Sequence, residues 1–269
     1  MTNLETLVEA IHDGASVALA PDYSGCAMAA VRALVRRGAR DLRLIAVPQA
    51  GFQADMLIGA GCVGSVEAAA ITLGEYGFAP RFTDAVKNGR ITLRDSTCPA
   101  IHAGLQAAEK GVPFMPLRGI LGSDLLTHRD DWKVIENPFS PDDAIVALPA
   151  IRPDVALFHA ASADRHGNVW IGVRRELMLM AHAAHRTLVT VETVVDDDLL
   201  ADEARAAGTI PALYVSAIAE VREGAWPIGL AGRYPADAAH LAEYARLART
   251  AAGFERYLDE HVRGRASAA

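Results

Sequence analysis

Short apolar runs alternate with segments of helical periodicity through most of this 269-residue chain. "SVALA", "DLRLIAV", "ITLRD", "DVALFHA", "NVWI" and "RTLVTVETV" read as strands. Their apolar residues are mostly consecutive rather than every second one, the mark of strands covered on both faces. "DMLIGAG" reads as a further buried strand, "PQAGFQAD" as a Gly-containing loop and "IPALYVSAIAEV" as another strand region. Helical spacing runs through Leu4 to Ile11, Ala27 to Arg37, "APRFTDAVKNG", "PAIHAGLQAAEKG" and "RRELMLMAHAAH". Gly38, Gly89 and Gly111 serve as stops, and Pro99 marks a start. The tail from Asp237 to Val262 predicts one long helix or two with an apolar stripe. Strands alternating with helices predict an α/β fold with a mostly parallel sheet covered by helices on both faces.

Residues 113–153 break the alternation. They are rich in Gly, Pro and Asp, yet apolar residues recur among them, so they read as functional loops and short strands rather than a linker.

Composition narrows the function classes. A net charge of −7 argues against nucleic acid, which needs clustered Lys and Arg. The most apolar runs are too short to cross a bilayer, and the N-terminus carries acids where a signal peptide needs a basic start. A cytoplasmic protein is expected. Three cysteines, Cys26, Cys62 and Cys98, fit neither a disulfide framework nor a zinc site. Among nine histidines the pair His182 and His185 lacks a companion carboxylate, so a surface or packing role is expected of it and no metal site is read.

Gly59-x-Gly61-x-x-Gly64 has the spacing of a dinucleotide-binding turn. The context is wrong: no clean helix follows, and Asp84, about 20 residues on, lies in a helical pattern rather than at a strand end. Tight packing explains these glycines better.

Open parallel sheets place ligands at the carboxyl ends of their strands, which singles out two turns. "PDYSGC" after the first strand offers Tyr23, Ser24 and Gly25 to a substrate carboxylate or an oxyanion; the alternative is a plain turn with Ser24 as helix N-cap. "PQAGF" after the second offers Gln49, Gly51 and Phe52, with a glycine permitting close backbone approach. Glu75 and Tyr76 lie between Gly74 and Gly77 on a loop, where the acid is a general base, a holder of Arg81 or a surface charge. Arg118, Gly119 and Ser123 lie on the loop "RGILGSD". Arg118 has the forked donors for an acidic substrate or a CoA phosphate, or else staples the loop to Asp124 or Asp131.

"ADMLIGAGCVGSVEAA", "PFMPLRGILGSDLL", "VIENPFSPDDAIVALPAIRPDVALFHAASADRHGNVWIG" and "IPALYVSAIAEVREGAWPIG" resemble, in order, the alpha (A) subunit of two-subunit family I CoA-transferases, most closely the glutaconate CoA-transferase type. The likeness spans nearly the whole chain. Its most specific piece is the Asp164-to-Asn168 turn, which reads as a local structural device. The resemblance implies a three-layer fold forming one domain over residues 1–269, with residues 113–153 as a small subregion, and a beta-subunit partner in an αβ or α2β2 assembly. It also implies coenzyme A as a substrate rather than a resident cofactor. In that family a glutamate carboxylate attacks the acyl-CoA thioester, and in two-subunit members this glutamate belongs to the beta chain, usually before Asn-Gly. Here Glu136-Asn137 is followed by Pro138, so Glu136 is not that nucleophile and the chain alone is expected to be inactive. Two rival readings remain. One is a CoA-ester hydrolase or ring-opening relative that uses an acid of the alpha chain, with Glu75 as the candidate; the other is a ligand-binding regulatory domain.

Overall fold

In the computed structural model, which describes residues 1–264, seven parallel strands form the central sheet. They are β1 (Ser16–Leu19), β2 (Leu42–Ala46), β3 (Val63–Ala68), β4 (Thr92–Asp95), β5 (Val155–Ala160), β6 (Arg186–Val191) and β7 (Ala217–Glu220), in the spatial order β7-β6-β5-β1-β2-β3-β4. The chain moves outward from β1 to β4, then returns to the other side of β1 for β5 to β7. Strand order therefore reverses between β1 and β5, where open sheets leave a crevice at their carboxyl ends.

Consecutive apolar residues in β1, β2, β5, β6 and β7 feed two separate cores, whereas the edge strand β4 is exposed, contrary to the reading of "ITLRD" as a strand covered on both faces. Val17 and Leu19 of β1 join one, with Leu44, Val155 and Leu157. Ala18 and Ala20 join the other, with Ile45, Ala156, Phe158 and Val189. The first core is covered by α1 (Leu4–Glu9), α2 (Met28–Arg37), α3 (Phe52–Gly59), α4 (Pro80–Lys87) and the C-terminal pair α7 (Ala238–Leu247) and α8 (Ala251–His261). The second is covered by α5 (Cys98–Glu109) and α6 (Arg175–Ala183). The result is the three-layer arrangement. Within the middle segment, Phe114–Leu117, Lys133–Glu136 and Ala144–Pro149 pair as a small antiparallel sheet over their own core of Ile120, Trp132, Val146 and Leu148. Among the described residues no helix is long and apolar enough to cross a membrane.

Three local readings need correction. "DMLIGAG" is not a strand but the body of α3, and "PQAGFQAD" is not all loop, because α3 begins at Phe52. This helix is buried from Phe52 to Ile58, so its apolar run has no polar face to reveal a helical period. Gly59, Gly61 and Gly64 consequently serve helix, turn and strand in that order, the reverse of a dinucleotide-binding unit. "IPALYVSAIAEV" is likewise divided, with a helical turn at Ala212–Tyr214 before β7. The tail is two helices, α8 being capped by the Thr250 hydroxyl, which accepts from Gly253 N.

α3 also buries two polar side chains. Asp55 accepts from the Tyr244 hydroxyl and from Phe82 N, both at 2.8 Å, which fastens α3 to α7 and α4. Burial pushes the Asp55 carboxyl up to about 6. Gln53 donates its amide to the Ala20 carbonyl at the end of β1.

The Asp164 turn is the local device its sequence announced. One carboxylate oxygen accepts from His166 N and Asn168 N, both at 2.9 Å. The other accepts from the Asn168 side chain at 2.7 Å and from Leu199 N at 3.1 Å. Burial pushes this carboxyl up, but those four donors win and hold it below its ordinary range. Replacing Asp164 by Ala strands the buried N–H groups of Asn168 and Leu199 and frees that of the exposed His166. We expect a loss of roughly 2–4 kcal/mol in a denaturant titration, with Asp164→Asn losing less.

Candidate active site

Two cavities open at the carboxyl edge of the sheet and share Tyr23. The first, about 380 Å³, is lined by Asp22 and Tyr23 after β1, Gln49, Ala50 and Phe52 after β2, and Thr72 to Tyr76 after β3. Ile228 and Leu241 close its far wall. The second, about 250 Å³, lies in the crevice where strand order reverses: Tyr23, Ser24 and Gly25 face His159, Ala160 and Ala161 at the end of β5. Trp170, Arg174 and Leu230 complete its wall.

The floor of the first cavity depends on one close contact. Asp22 Oδ2 accepts from Phe52 N at 3.2 Å, across Gly51. A Cβ on Gly51 would overlap that same oxygen and sit 2.6 Å from the Thr72 carbonyl. Only glycine lets the three loops meet there. Burial pushes the Asp22 carboxyl up to about 6, against the Phe52 N–H and Cys26 thiol that favour its charged form. Phe52 stacks edge-on with Tyr76 at 5.7 Å and leans on Tyr244 at 5.4 Å, so the Gly74–Tyr76 turn rests on α3 and α7.

Five of the residues singled out in the sequence, Tyr23, Gln49, Phe52, Glu75 and Tyr76, thus gather around one cavity. Glu75 does not hold Arg81, whose guanidinium is buried 3.6 Å from Asp84. Ser24 does not cap α2; its hydroxyl donates to the Glu176 carboxylate. Gly25 is packed backbone to backbone, accepting from His159 N at 2.8 Å, with no room for a Cβ beside the His159 carbonyl. Arg118, Gly119 and Ser123 belong to the small antiparallel sheet and its following turn and line neither cavity. Arg118 pairs with Asp143, not with Asp124 or Asp131; Asp131 is taken by Arg129 and Arg94. Glu136 is exposed on the same sheet and also lines neither cavity.

Sequence reasoning passed over Asp22, His159 and Glu192. His159 at the end of β5 is fully buried; its Nδ1 meets the Thr190 hydroxyl at 2.8 Å and its Nε2 meets Glu192 at 2.6 Å. Glu192, just past β6, also accepts from the Tyr234 hydroxyl at 2.7 Å and from the N–H groups of Glu223 and Gly224. This carboxylate fixes the loop that carries Leu230 into the second cavity. Burial raises the Glu192 carboxyl, but the His159, Tyr234 and Glu223 bonds outweigh it and bring it down to about 2. The available signal was position: a His and a Glu at the carboxyl ends of neighbouring buried strands.

His182 does pack as expected, stacked at 3.9 Å on Tyr214 and bonded to Glu109 at 3.1 Å. Among the described residues, α7 and α8 also bring His240, Glu243 and His261 near one another, a grouping the sequence pattern did not single out.

A family model described as Coenzyme A transferase matches residues 1–221. The alpha (A) subunit of 3-oxoadipate CoA-transferase from Pseudomonas knackmussii is 33% identical, over 98% of this chain and 95% of its own length. The crystal structure of glutaconate coenzyme A-transferase from Acidaminococcus fermentans superposes with a TM-score of 0.90 at 28% identity, covering 98% of this chain and 88% of that one. The IpdA subunit of a cholesterol ring-cleaving hydrolase from Mycobacterium tuberculosis is 30% identical, over 88% of this chain and 84% of its own length.

Two outcomes check this geometry. Gly51→Ala should cost about 1–3 kcal/mol by overpacking and distort the first cavity, read as a lowered thermal midpoint together with weakened acyl-CoA binding. Glu192 has a folded-state value depressed from 4.5 to about 2, so its contribution is present above 4.5 and is lost as pH falls from there toward 2. Stability profiles of the wild type and Glu192→Gln should therefore converge in that acid window.

Proposed function

The chain belongs to the Coenzyme A transferase family, and from that premise we propose that it is the alpha half of a cytoplasmic enzyme that moves CoA from an acyl-CoA to a small carboxylate or dicarboxylate. The nucleophile is a glutamate of a beta-subunit partner. Its carboxylate attacks the thioester carbonyl, the CoA thiolate leaves, and a mixed anhydride forms. The thiolate then attacks the glutamyl carbonyl and releases the donor carboxylate, leaving an enzyme–CoA thioester that the acceptor carboxylate discharges by the same two steps in reverse. The reaction needs no resident cofactor; CoA is a substrate.

The observation that supports this most is the gathering of Tyr23, Gln49, Phe52, Glu75 and Tyr76 around an open cavity at the carboxyl edge, while Glu136 lies outside it. That cavity offers hydroxyl and amide donors suited to a substrate carboxylate or an oxyanion, over an apolar floor. The second cavity, with Ser24 and Gly25 in its wall, shares Tyr23 with the first and lies beside it, suited to an extended thioester arm. Arg118, Gly119 and Ser123 reach substrate only if the partner subunit closes over the small sheet.

A second reading is favoured by one feature. Glu75 stands on the cavity wall beside Tyr76, where an acid of this chain would meet a bound thioester. The enzyme would then be a hydrolase or ring-opening member of the same family, with Glu75 as general acid–base. The two readings separate in one experiment on the chain purified with its beta subunit. For the transferase we expect acceptor-dependent CoA transfer, no turnover by this chain alone, and a Glu75→Gln variant that loses less than about tenfold in kcat. For the hydrolase we expect acceptor-independent consumption of acyl-CoA and a Glu75→Gln loss of about 10²–10⁴-fold.

A further inference from the structure

Outside the two cavities, the C-terminal helices hold a cluster that the proposed reaction does not use. His240 and Glu243 lie three residues apart on one face of α7, and His261 ends α8 opposite them. One ligand atom from each lies within 4.8 Å of the others. We propose that His240, Glu243 and His261 bind a divalent transition-metal ion, best matched by Zn²⁺, which clamps α7 to α8.

The donor set fits that ion. Two imidazoles and one carboxylate are a recognised zinc triad, with a water completing the tetrahedron. Ligands about 2.1 Å from a common centre lie about 3.4 Å apart in tetrahedral geometry, so the cluster has to contract by roughly 1 Å or somewhat more. His261 has freedom to make that movement, because it is the last residue of α8. Its Nε2 is buried without a hydrogen-bond partner and points toward the Glu243 carboxylate, 3.7 Å away. Glu260 also approaches that nitrogen, at 3.9 Å.

The surroundings are those of an ordered ligand set. His240 Nε2 is held by the Tyr257 hydroxyl at 2.7 Å, its ring lies 4.3 Å from that of Trp226, and its backbone N–H caps onto Asp237. A partner on one ring nitrogen is what orients a metal-binding imidazole. The two Glu243 oxygens are divided: one faces Arg246 at 3.8 Å, the other faces His261.

The clamp would sit directly behind the active site. Leu241, adjacent to His240, lines the first cavity, and Tyr244 on the same helix supports Phe52.

The test uses the full chain with its beta subunit, stripped with a chelator and titrated with Zn²⁺ against a chromophoric competitor, with Co²⁺ absorption as a second readout. One equivalent should bind per chain and raise the thermal midpoint. His261→Gln and Glu243→Gln should each weaken binding by about 100-fold or more, and Tyr257→Phe by about tenfold. Glu243→Gln keeps the side-chain shape and serves as the decisive variant if His261→Gln does not fold. Binding that none of these variants changes, or no stoichiometric binding below about 0.1 mM, overturns the proposal. Neither result bears on the transferase reading, which is scored by CoA transfer.

Discussion

The active-site edge depends on a backbone contact that leaves no space for a side chain: Phe52 N–H on the Asp22 carboxylate, across Gly51. It joins the loop after β1 to the start of α3, while the Thr72 carbonyl closes on the same point from the loop after β3. Three neighbouring strands therefore deliver their loops to one place. Phe52, fixed by that contact, supports Tyr76, and so positions the turn that carries Glu75. A carboxylate that spends its lone pairs on backbone donors is a structural device, even though burial lifts its pKa to about 6.

A matching device lies across the reversal of strand order. Glu192 gathers His159, Tyr234 and two backbone N–H groups, and so orders the wall of the second cavity. The two cavities meet at Tyr23, whose ring is half exposed and lies 5.5 Å from the Arg174 guanidinium. One side of each cavity is finished by this chain's own core; under the proposed function, a partner supplies the rest from the open side, the attacking glutamate included.

Much of the architecture was legible because parallel strands buried on both faces write themselves as unbroken apolar runs. The same property hid α3: a helix buried all round also writes an unbroken run, and "DMLIGAG" carries no polar residue after Asp55 to mark a face. Tyr23, Gln49, Phe52, Glu75 and Tyr76 were found from their place after strands or between glycines, which is a local property. Asp22 was passed over beside Tyr23 because its importance lies in a partner 30 residues away. Glu192 and His159 were passed over for the same reason, as was the meeting of His240 with His261 across two helices. Arg118 was chosen for its charge, and its partner Asp143, just before the neighbouring strand, lies 25 residues away, outside the local pattern.

In the proposed function this chain supplies a substrate-binding edge to a covalent reaction carried by another chain. Borohydride trapping tests it most directly: the complex with the beta subunit is mixed with acyl-CoA, reduced, digested and mapped by mass spectrometry. One glutamate on the beta subunit should be converted to its alcohol, with every acid of this chain unmodified. Reduction at a carboxylate of this chain, or consumption of acyl-CoA with no carboxylate reduced on either subunit, would contradict it.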